Sequence, residues 1–176
     1  DYYSFLASEI MQIIAYFEKA PSSLSFFDFG MGWGEWAMMA KSFGCSSYGS
    51  ELSRSRIEYA KSNCINVIEW DELPEHHFDF INAEQVFEHI PEPLETLCHL
   101  KNSLKPNGLL KISVPTGSVG LLKLRSLNSN DIKLLFRIIG KELSKRSINS
   151  ITPIAPLEHI NFFRRKTIIN MASKAG

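Results

Sequence analysis

A short apolar run that breaks into three alternating glycines constrains the fold of this chain more than any other stretch. The segment Phe26-Phe27-Asp28-Phe29-Gly30-Met31-Gly32-Trp33-Gly34-Glu35-Trp36 predicts a strand, a glycine turn and a helix that begins near Glu35. Glycine adopts backbone angles that other residues resist, and it lets the backbone approach a ligand closely. The free N–H groups at the start of the helix suit a carboxylate or phosphate. We therefore predict a βα unit of the kind that binds nucleotide cofactors.

The spacing of the glycines narrows the choice of cofactor. A dinucleotide fingerprint, G-x-G-x-x-G, would need a glycine where the chain has Glu35, so an NAD-dependent dehydrogenase is the weakest alternative. The pattern D-x-G-x-G-x-G, formed by Asp28, Gly30, Gly32 and Gly34, resembles motif I of class I S-adenosylmethionine-dependent methyltransferases. The resemblance implies that these four residues bind the cofactor.

An acidic residue follows at the end of the second predicted strand. Ser46 to Gly49 lead into this strand, which ends at Ser50-Glu51. A carboxylate at that position accepts hydrogen bonds from a ribose diol. Leu52, next to it, belongs to the same predicted cofactor site. The alternative is that Glu51 only serves the start of the next helix, which Ser53 is expected to cap.

A third short strand, residues 66 to 68, is followed by Glu69-Trp70-Asp71-Glu72-Leu73-Pro74. In the methyltransferase superfamily an acidic residue four before a Leu-Pro pair often receives the adenine amino group, and the resemblance places Glu69 there. Trp70 offers a stacking face beside it. The segment departs from the usual Asp-Ala form, so Asp71 or Glu72 could serve instead.

The fourth predicted strand, residues 78 to 82, begins a pattern typical of small-molecule methyltransferases. Phe78-Asp79-Phe80-Ile81-Asn82, then Val86-Phe87-Glu88-His89 and Pro91, resemble the FD…EH segment of that group. The resemblance implies that the strand's end, Asn82, Ala83, Glu84 and Gln85, lines the methionine part of the cofactor and the methyl donor. We expect His89 to be a structural partner of Glu88 or of the backbone.

The predicted fold class is an α/β, Rossmann-like three-layer sandwich with a mainly parallel sheet. A helix over residues 94 to 104 ends at Lys105-Pro106-Asn107-Gly108, where Gly108 is expected to form a left-handed cap, and the fifth strand covers 109 to 115. The family implies the strand order 3-2-1-4-5 and a final strand hairpin, which we expect to be missing. We expect one domain over 1–176, with a helical lid insertion at 117–155; the alternative for this insertion is a surface helix that covers the sheet.

The segment Glu158-His159-Ile160-Asn161-Phe162-Phe163 resembles the EH-x-x-x-F sequence before the last crossover helix of this group. His159 is the leading candidate for a general base, with Glu158 beside it. A capping or core role is the alternative. We expect no metal, because the acids are spread over several strand ends and the histidines lack ligand spacing.

Composition and charge indicate the cellular setting and the kinds of partner to expect for this chain. The chain has 176 residues, 44% hydrophobic and 22% charged, typical of a globular domain. No apolar run could span a bilayer, no signal peptide is evident, and three widely spaced cysteines favour a reducing, cytoplasmic setting. Residues 1–118 carry 16 acidic and 8 basic side chains, whereas residues 119–176 carry 3 and 11. Either the two halves pair, or the basic half faces an anionic partner.

Together these motifs predict an enzyme that transfers a methyl group from S-adenosylmethionine to an O, N or C nucleophile of a small molecule, leaving S-adenosylhomocysteine. One alternative is a cofactor-binding scaffold or regulator without turnover. A nucleic-acid methyltransferase that uses the basic C-terminal portion is another. It is not favoured, since Asn82-Ala83-Glu84-Gln85 differs from the N/D-P-P-Y/F/W signature of such enzymes. The acceptor and the oligomeric state cannot be inferred from the sequence.

Overall fold

The computed structural model describes residues 2–115 and 159–176. The predicted lid at 117–155 and Glu158 lie outside the described residues. The chain divides into two compact units. The first comprises residues 1–87, 92–113 and 175, and the second comprises 88–91, 114–174 and 176.

The first unit is built on five parallel strands in the order β3-β2-β1-β4-β5. The strands are β1 (Ser25–Phe29), β2 (Ser46–Ser50), β3 (Asn66–Val67), β4 (Phe78–Glu84) and β5 (Leu104–Ser113). Its helices are α1 (Tyr2–Phe17), α2 (Glu35–Ser42), α3 (Arg54–Ser62) and α4 (Pro93–Asn102). Helix α5 (Arg165–Ala175) belongs to the second unit except for its last residue. Short 3-10 helices cover Pro21–Ser23, Trp70–Glu75 and Phe87–His89. The predicted strand order and Rossmann-like class are confirmed.

Alternate residues of β1 pack on opposite faces of the sheet, because side chains alternate along a strand. Phe26 is fully buried and contacts the rings of Trp36 in α2 and Phe80 in β4, at centroid distances of 5.9 and 5.7 Å. Leu6 and Ile10 of α1 complete this cluster. A core on this face therefore fixes α1 and α2 against the centre of the sheet.

The opposite face of β1 carries a second aromatic cluster. Phe27 is 1% exposed and stacks on Phe78 of β4 at 4.9 Å. Tyr48 of β2 meets the same Phe78 ring edge-on at 5.4 Å. Burial on both faces explains the nearly continuous apolar run of β1, as expected for a central parallel strand.

The buried Asp79 side chain of β4 connects that strand to β1 by a hydrogen bond and to β5 by an ion pair. Asp79 accepts hydrogen bonds from the Ser25 N–H at 2.9 Å and from Lys105 at 2.7 Å, and Lys19 lies 3.5 Å away. Burial raises the pKa of Asp79, but the bonds from Lys105 and Ser25 outweigh it and hold the pKa below its usual value. This aspartate is therefore structural.

None of the helices within the described residues is long and apolar enough to cross a membrane.

The junction between α4 and β5 differs from the prediction. β5 begins at Leu104 and includes the Lys-Pro-Asn-Gly segment, where the pairing with β4 jumps from Phe78–Leu104 to Phe80–Leu109. The left-handed residue is Asn107, at φ 64°, and Gly108 is absent from the residues with positive φ. The expected left-handed cap at Gly108 is therefore wrong. Gly108 serves close backbone packing instead, since an added Cβ would lie 2.9 Å from the Lys105 carbonyl oxygen.

We expect Gly108→Ala to lower the free energy of unfolding by about 1–3 kcal/mol, because the new methyl group would press on three backbone carbonyl oxygens and overpacking is costly. Urea denaturation measures the change. The matched control is Asn107→Gly, which relieves a left-handed backbone and should alter stability by less than about 1 kcal/mol. Equal stability of the two variants would contradict the packing role.

Candidate cofactor and active site

The three glycines after β1 all adopt left-handed backbone angles. The φ values are 69° at Gly30, 57° at Gly32 and 75° at Gly34, the last of which is the N-cap of α2. A Cβ at Gly30 would lie 2.6 Å from Val86, whereas one at Gly32 would meet nothing within 4 Å. Gly30 thus permits packing against the segment after β4, and Gly32 leaves the turn open on the side where a ligand could approach.

Glu51 holds this glycine turn in place. Its Oε2 accepts a hydrogen bond from the Gly32 N–H at 2.9 Å, and its Oε1 accepts from the N–H groups of Leu52 and Ser53 at 2.9 and 3.0 Å. Arg56 lies 3.5 Å away. A carboxylate offers about four lone-pair sites, so Glu51 retains capacity for a ribose hydroxyl. The expected side-chain cap by Ser53 is not formed; Ser53 is the N-cap residue, but Glu51 takes its N–H.

Leu52 and Trp70 present apolar surface at the ends of β2 and β3. Leu52 is fully exposed, and Trp70 is 40% exposed. The Trp70 ring packs 5.5 Å from Phe29 and 4.2 Å from His99, centroid to centroid. Exposed apolar groups of this kind suit a flat aromatic ligand.

Glu69 forms a capping box with Glu72 at the start of the 3-10 helix. The Glu69 side chain accepts the Glu72 N–H, and Glu72 accepts the Glu69 N–H at 2.9 Å. Two of the three carboxylates that were considered for adenine binding, Glu69 and Glu72, therefore also have a local structural role. The choice among Glu69, Asp71 and Glu72 stays a prediction.

A buried pair joins β1 and β4 at their C-terminal ends. Asn82 donates from Nδ2 to Asp28 Oδ1 at 2.8 Å, and the two residues are 2% and 3% exposed. The Oδ1 of Asn82 has no hydrogen-bond partner among the described residues. Desolvation raises the pKa of Asp28 to about 7; the Asn82 bond and Lys111 oppose this rise, and Glu84 and Glu9 add to it. The pair thus combines the titratable carboxyl group of Asp28 with a hydrogen-bond acceptor, the Asn82 Oδ1, that could bind a ligand.

Glu84 is positioned by an ion pair that the sequence did not reveal. Lys111 of β5 lies 3.0 Å from Glu84 and 2.7 Å from Glu9 of α1. Burial lowers the pKa of Lys111, but the two carboxylates outweigh it and raise the pKa above the usual value. Lys111 therefore remains a cation, and its ion pair holds the Glu84 side chain beside the strand end.

A cleft of about 290 Å³ opens where these groups meet. It is lined by Tyr2, Asp28, Gly30, Met31, Gly32, Trp33, Glu35, Trp36, Asn82, Glu84 and Gln85. Five predicted cofactor residues thus lie together in one cleft, and Ala83 is fully buried within β4. A neighbouring cleft of about 310 Å³ is bordered by Tyr3, Trp33, Glu35, Met38 and Tyr59. Such sizes lie at the lower end for small-molecule sites.

Sequence reasoning missed the contribution of α1 to this cleft. Tyr2 lines it, and the Tyr3 hydroxyl donates to Glu35 at 3.1 Å. Met31 also lines it without having been assigned a role, whereas Gln85 was expected there. Only the helical stripe of α1 was visible in the sequence; its approach to the glycine turn depends on tertiary packing.

The second unit contains the candidate bases. His159 is partly buried, and its ring lies 4.9 Å from that of His89, with the planes 65° apart. Glu158, the other candidate base, lies outside the described residues. The predicted role of His159 as a base stays a prediction.

The chain matches a known protein family over nearly its whole length. A family model described as a methyltransferase domain matches residues 2–176. The chain belongs to this methyltransferase family. The resemblance inferred from the glycine turn and the strand-end acids is therefore confirmed.

A ubiquinone-biosynthesis enzyme is among the proteins similar in sequence to this methyltransferase domain. The ubiquinone biosynthesis O-methyltransferase of Nitrosospira multiformis is 25% identical over 124 residues, which cover 70% of this chain. The chain spans 44% of that relative's length.

Solved structures confirm the fold. A SAM-dependent methyltransferase from Archaeoglobus fulgidus gives a TM-score of 0.66 at 17% identity, over 99% of this chain and 68% of that one. The magnesium protoporphyrin IX methyltransferase of Synechocystis PCC 6803, solved with bound SAH, gives 0.64 at 16% identity, over 99% and 73%.

We expect the stability of the methyltransferase domain to depend on pH through Asp28. Its folded-state pKa is raised from 3.8 to about 7. The contribution of Asp28 to stability is therefore fully present below pH 3.8 and is lost as the pH rises through 7. Asp28→Asn should remove this cost. The variant's advantage in unfolding free energy should grow from about pH 4 to about pH 7 and then level, with a ceiling of about 4 kcal/mol.

Urea denaturation at several pH values measures this difference. Asp79→Asn is the matched control, because its pKa is lowered and its stabilisation is present above the unfolded-state value and lost at lower pH. That variant should lose stability at neutral pH. A pH-independent difference between wild type and Asp28→Asn would contradict the raised pKa.

Proposed function

We propose that this methyltransferase domain binds S-adenosylmethionine across the glycine turn and transfers its methyl group to a nucleophilic atom of a small molecule. The observation that carries the proposal is the turn itself: three left-handed glycines open beside the buried Asp28–Asn82 pair. Both features lie at the C-terminal ends of parallel strands, where ligands of such folds bind.

S-adenosylmethionine is the cofactor that the family implies. The Synechocystis enzyme contains SAH, and a protein from Rickettsia typhi, PKMT2, was solved with AdoHcy; it has a TM-score of 0.57 at 18% identity. S-adenosylhomocysteine is accordingly the product.

The methionine end of the cofactor would lie against the acidic part of the cleft. Its α-ammonium group is a cation, and Asp28, Glu84 and the free acceptor of Asn82 supply negative charge and a lone pair. Backbone N–H groups of the glycine turn suit its carboxylate. Ala83 lies between the two polar residues of β4 and keeps the strand end packed.

The adenosine end would lie toward the ends of β2 and β3. Glu51 would accept from the ribose hydroxyls, since it sits at the carboxyl end of β2 beside Gly32. Leu52 and Trp70 would flank the adenine with their exposed apolar surfaces. Glu69 would receive the adenine amino group.

Methyl transfer is an SN2 displacement. A lone pair of the acceptor attacks the methyl carbon as the carbon–sulfur bond breaks, and the electron pair stays on sulfur to give a neutral thioether. The chain's main contribution is orientation, which can supply roughly 7–11 kcal/mol. An alcohol or phenol acceptor must also lose a proton, for which His159 or Glu158 is the proposed base.

A small-molecule acceptor is supported by the named activities of relatives. The Nitrosospira relative is named for ubiquinone biosynthesis, and the Synechocystis neighbour for magnesium protoporphyrin IX. The basic C-terminal portion would favour an anionic acceptor.

We expect calorimetry to distinguish the two ends of the cofactor site. Glu51→Gln should weaken binding of both S-adenosylhomocysteine and methylthioadenosine at least tenfold, because it disturbs the ribose contact and the Gly32 clamp. Asp28→Asn should weaken only S-adenosylhomocysteine, since methylthioadenosine lacks the ammonium group. Glu58→Gln is the control, because Glu58 is exposed and pairs only locally with Arg54.

The same measurement across pH tests the carboxyl directly. Asp28 must ionise to attract the ammonium, so the preference for S-adenosylhomocysteine over methylthioadenosine should rise as the pH passes through about 7 and should be flat in Asp28→Asn. No binding of either compound by folded protein would refute the cofactor assignment. Binding without methyl transfer to a broad acceptor panel would favour the scaffold alternative.

A further inference from the structure

Three side chains of the second unit bring metal-binding atoms together. One ligand atom each from Glu88, His89 and His159 can be chosen so that all lie within 4.8 Å of one another. Glu88 is buried, His159 is partly buried and His89 is exposed. The carboxylate of this group is therefore buried, whereas one of its imidazoles is exposed. An ion could reach the group from solvent on the side of His89.

Backbone hydrogen bonds hold these residues in place. The N–H groups of Ile160 and Asn161 both donate to the Glu88 carbonyl oxygen, at 2.9 and 3.0 Å. The Asn161 side chain donates to the Ile90 carbonyl oxygen. These bonds fix the segment that follows His159 against the segment that contains His89, and they explain why the two rings meet at 4.9 Å.

The carboxylate of Glu88 is an independent indication of a ligand. Glu88 is 1% exposed, and neither of its carboxylate oxygens has a hydrogen-bond partner among the described residues. Burying a charged group without a partner is costly. Native buried carboxylates are normally hydrogen-bonded, paired or bound to metal. A cation at the two imidazoles would give this carboxylate a partner.

We propose that Glu88, His89 and His159 form a binding site for one divalent transition-metal ion, for which Zn²⁺ is the best match. Two imidazole nitrogens and one carboxylate oxygen are typical Zn²⁺ ligands, at bond lengths of about 2.0–2.2 Å. Mg²⁺ fits less well, because it prefers oxygen ligands alone. Three protein ligands leave a coordination position for water or for an oxygen of a bound molecule.

The proposal departs from the expectation of no metal, which rested on spacing along the chain. It also competes with the role of His159 as a base, since a nitrogen that binds metal cannot accept a proton. Metal binding itself does not depend on the proposed function.

Metal binding can be measured without turnover. Protein freed of metal with a chelator is titrated with Zn²⁺ by calorimetry and with Co²⁺ by visible absorption. We expect one Zn²⁺ per chain and a Co²⁺ spectrum of nitrogen and oxygen ligation. Glu88→Gln should weaken Zn²⁺ binding at least tenfold, and His159→Ala at least as much. His77→Ala, which removes an exposed imidazole, should change nothing.

Thermal unfolding gives a second readout. Zn²⁺ should raise the Tm of the wild type, because an ion that binds only the folded state stabilises it, and should not raise that of Glu88→Gln. Circular dichroism confirms that each variant folds. Absence of saturable Zn²⁺ binding, or undiminished binding in Glu88→Gln and His159→Ala, would overturn the proposal. Calorimetry with S-adenosylhomocysteine on the same samples reports separately on the cofactor site.

Discussion

The arrangement of the first unit depends on the pairing of β1 with β4, whose ends are joined by a hydrogen bond from Asn82 to Asp28. The strand order β3-β2-β1-β4-β5 runs outward in both directions from the β1–β4 pair. The crossovers from β1 and from β4 therefore leave toward different sides, and a crevice opens at their carboxyl ends. A polar bond of 2.8 Å at this point keeps the two strand ends together without filling the crevice with apolar side chains.

Burial of that bond has an electrostatic consequence. Asp28 is desolvated, and two further carboxylates, Glu84 and Glu9, raise its pKa together with burial, while Lys111 opposes them. The resulting site is rich in negative charge and poor in cations of its own. A cationic ligand would relieve this repulsion, which is why the ammonium and sulfonium charges of S-adenosylmethionine suit the cleft better than a dinucleotide's phosphates do.

Much of this architecture could be predicted from the sequence, because its signals are local. The run Phe26 to Phe29 with its glycines determines a strand, a turn and a helix within eleven residues, and three left-handed φ values agree with it. The strand order came from the family resemblance. The prediction of a left-handed cap at Gly108 was wrong because φ at such a junction depends on strand pairing. The pairing of β4 with β5 is irregular between Phe78 and Phe80, and the left-handed residue is Asn107.

Contacts between distant residues could not be predicted. Nothing in the sequence relates Lys111 to Glu9, 102 residues apart, or places Tyr2 beside the glycine turn. Glu51 was correctly located at the end of β2, yet its bond to Gly32 appears only when strand and turn meet in space. A pattern identifies the type of group a position needs, whereas its hydrogen-bond partners follow from packing.

The histidines of the second unit illustrate the same limit with a chemical consequence. His89 and His159 are 70 residues apart, so spacing offers no sign of a shared site, and each was considered alone, one as structural and one as a base. Their rings nevertheless meet at 4.9 Å beside the buried Glu88 carboxylate. An imidazole nitrogen has one lone pair to use. If it binds a metal ion, it cannot also act as a base, and the buried carboxylate becomes a ligand. Neither carboxylate oxygen of Glu88 has a hydrogen-bond partner among the described residues, and a metal ion would supply one, whereas a lone base at His159 would not.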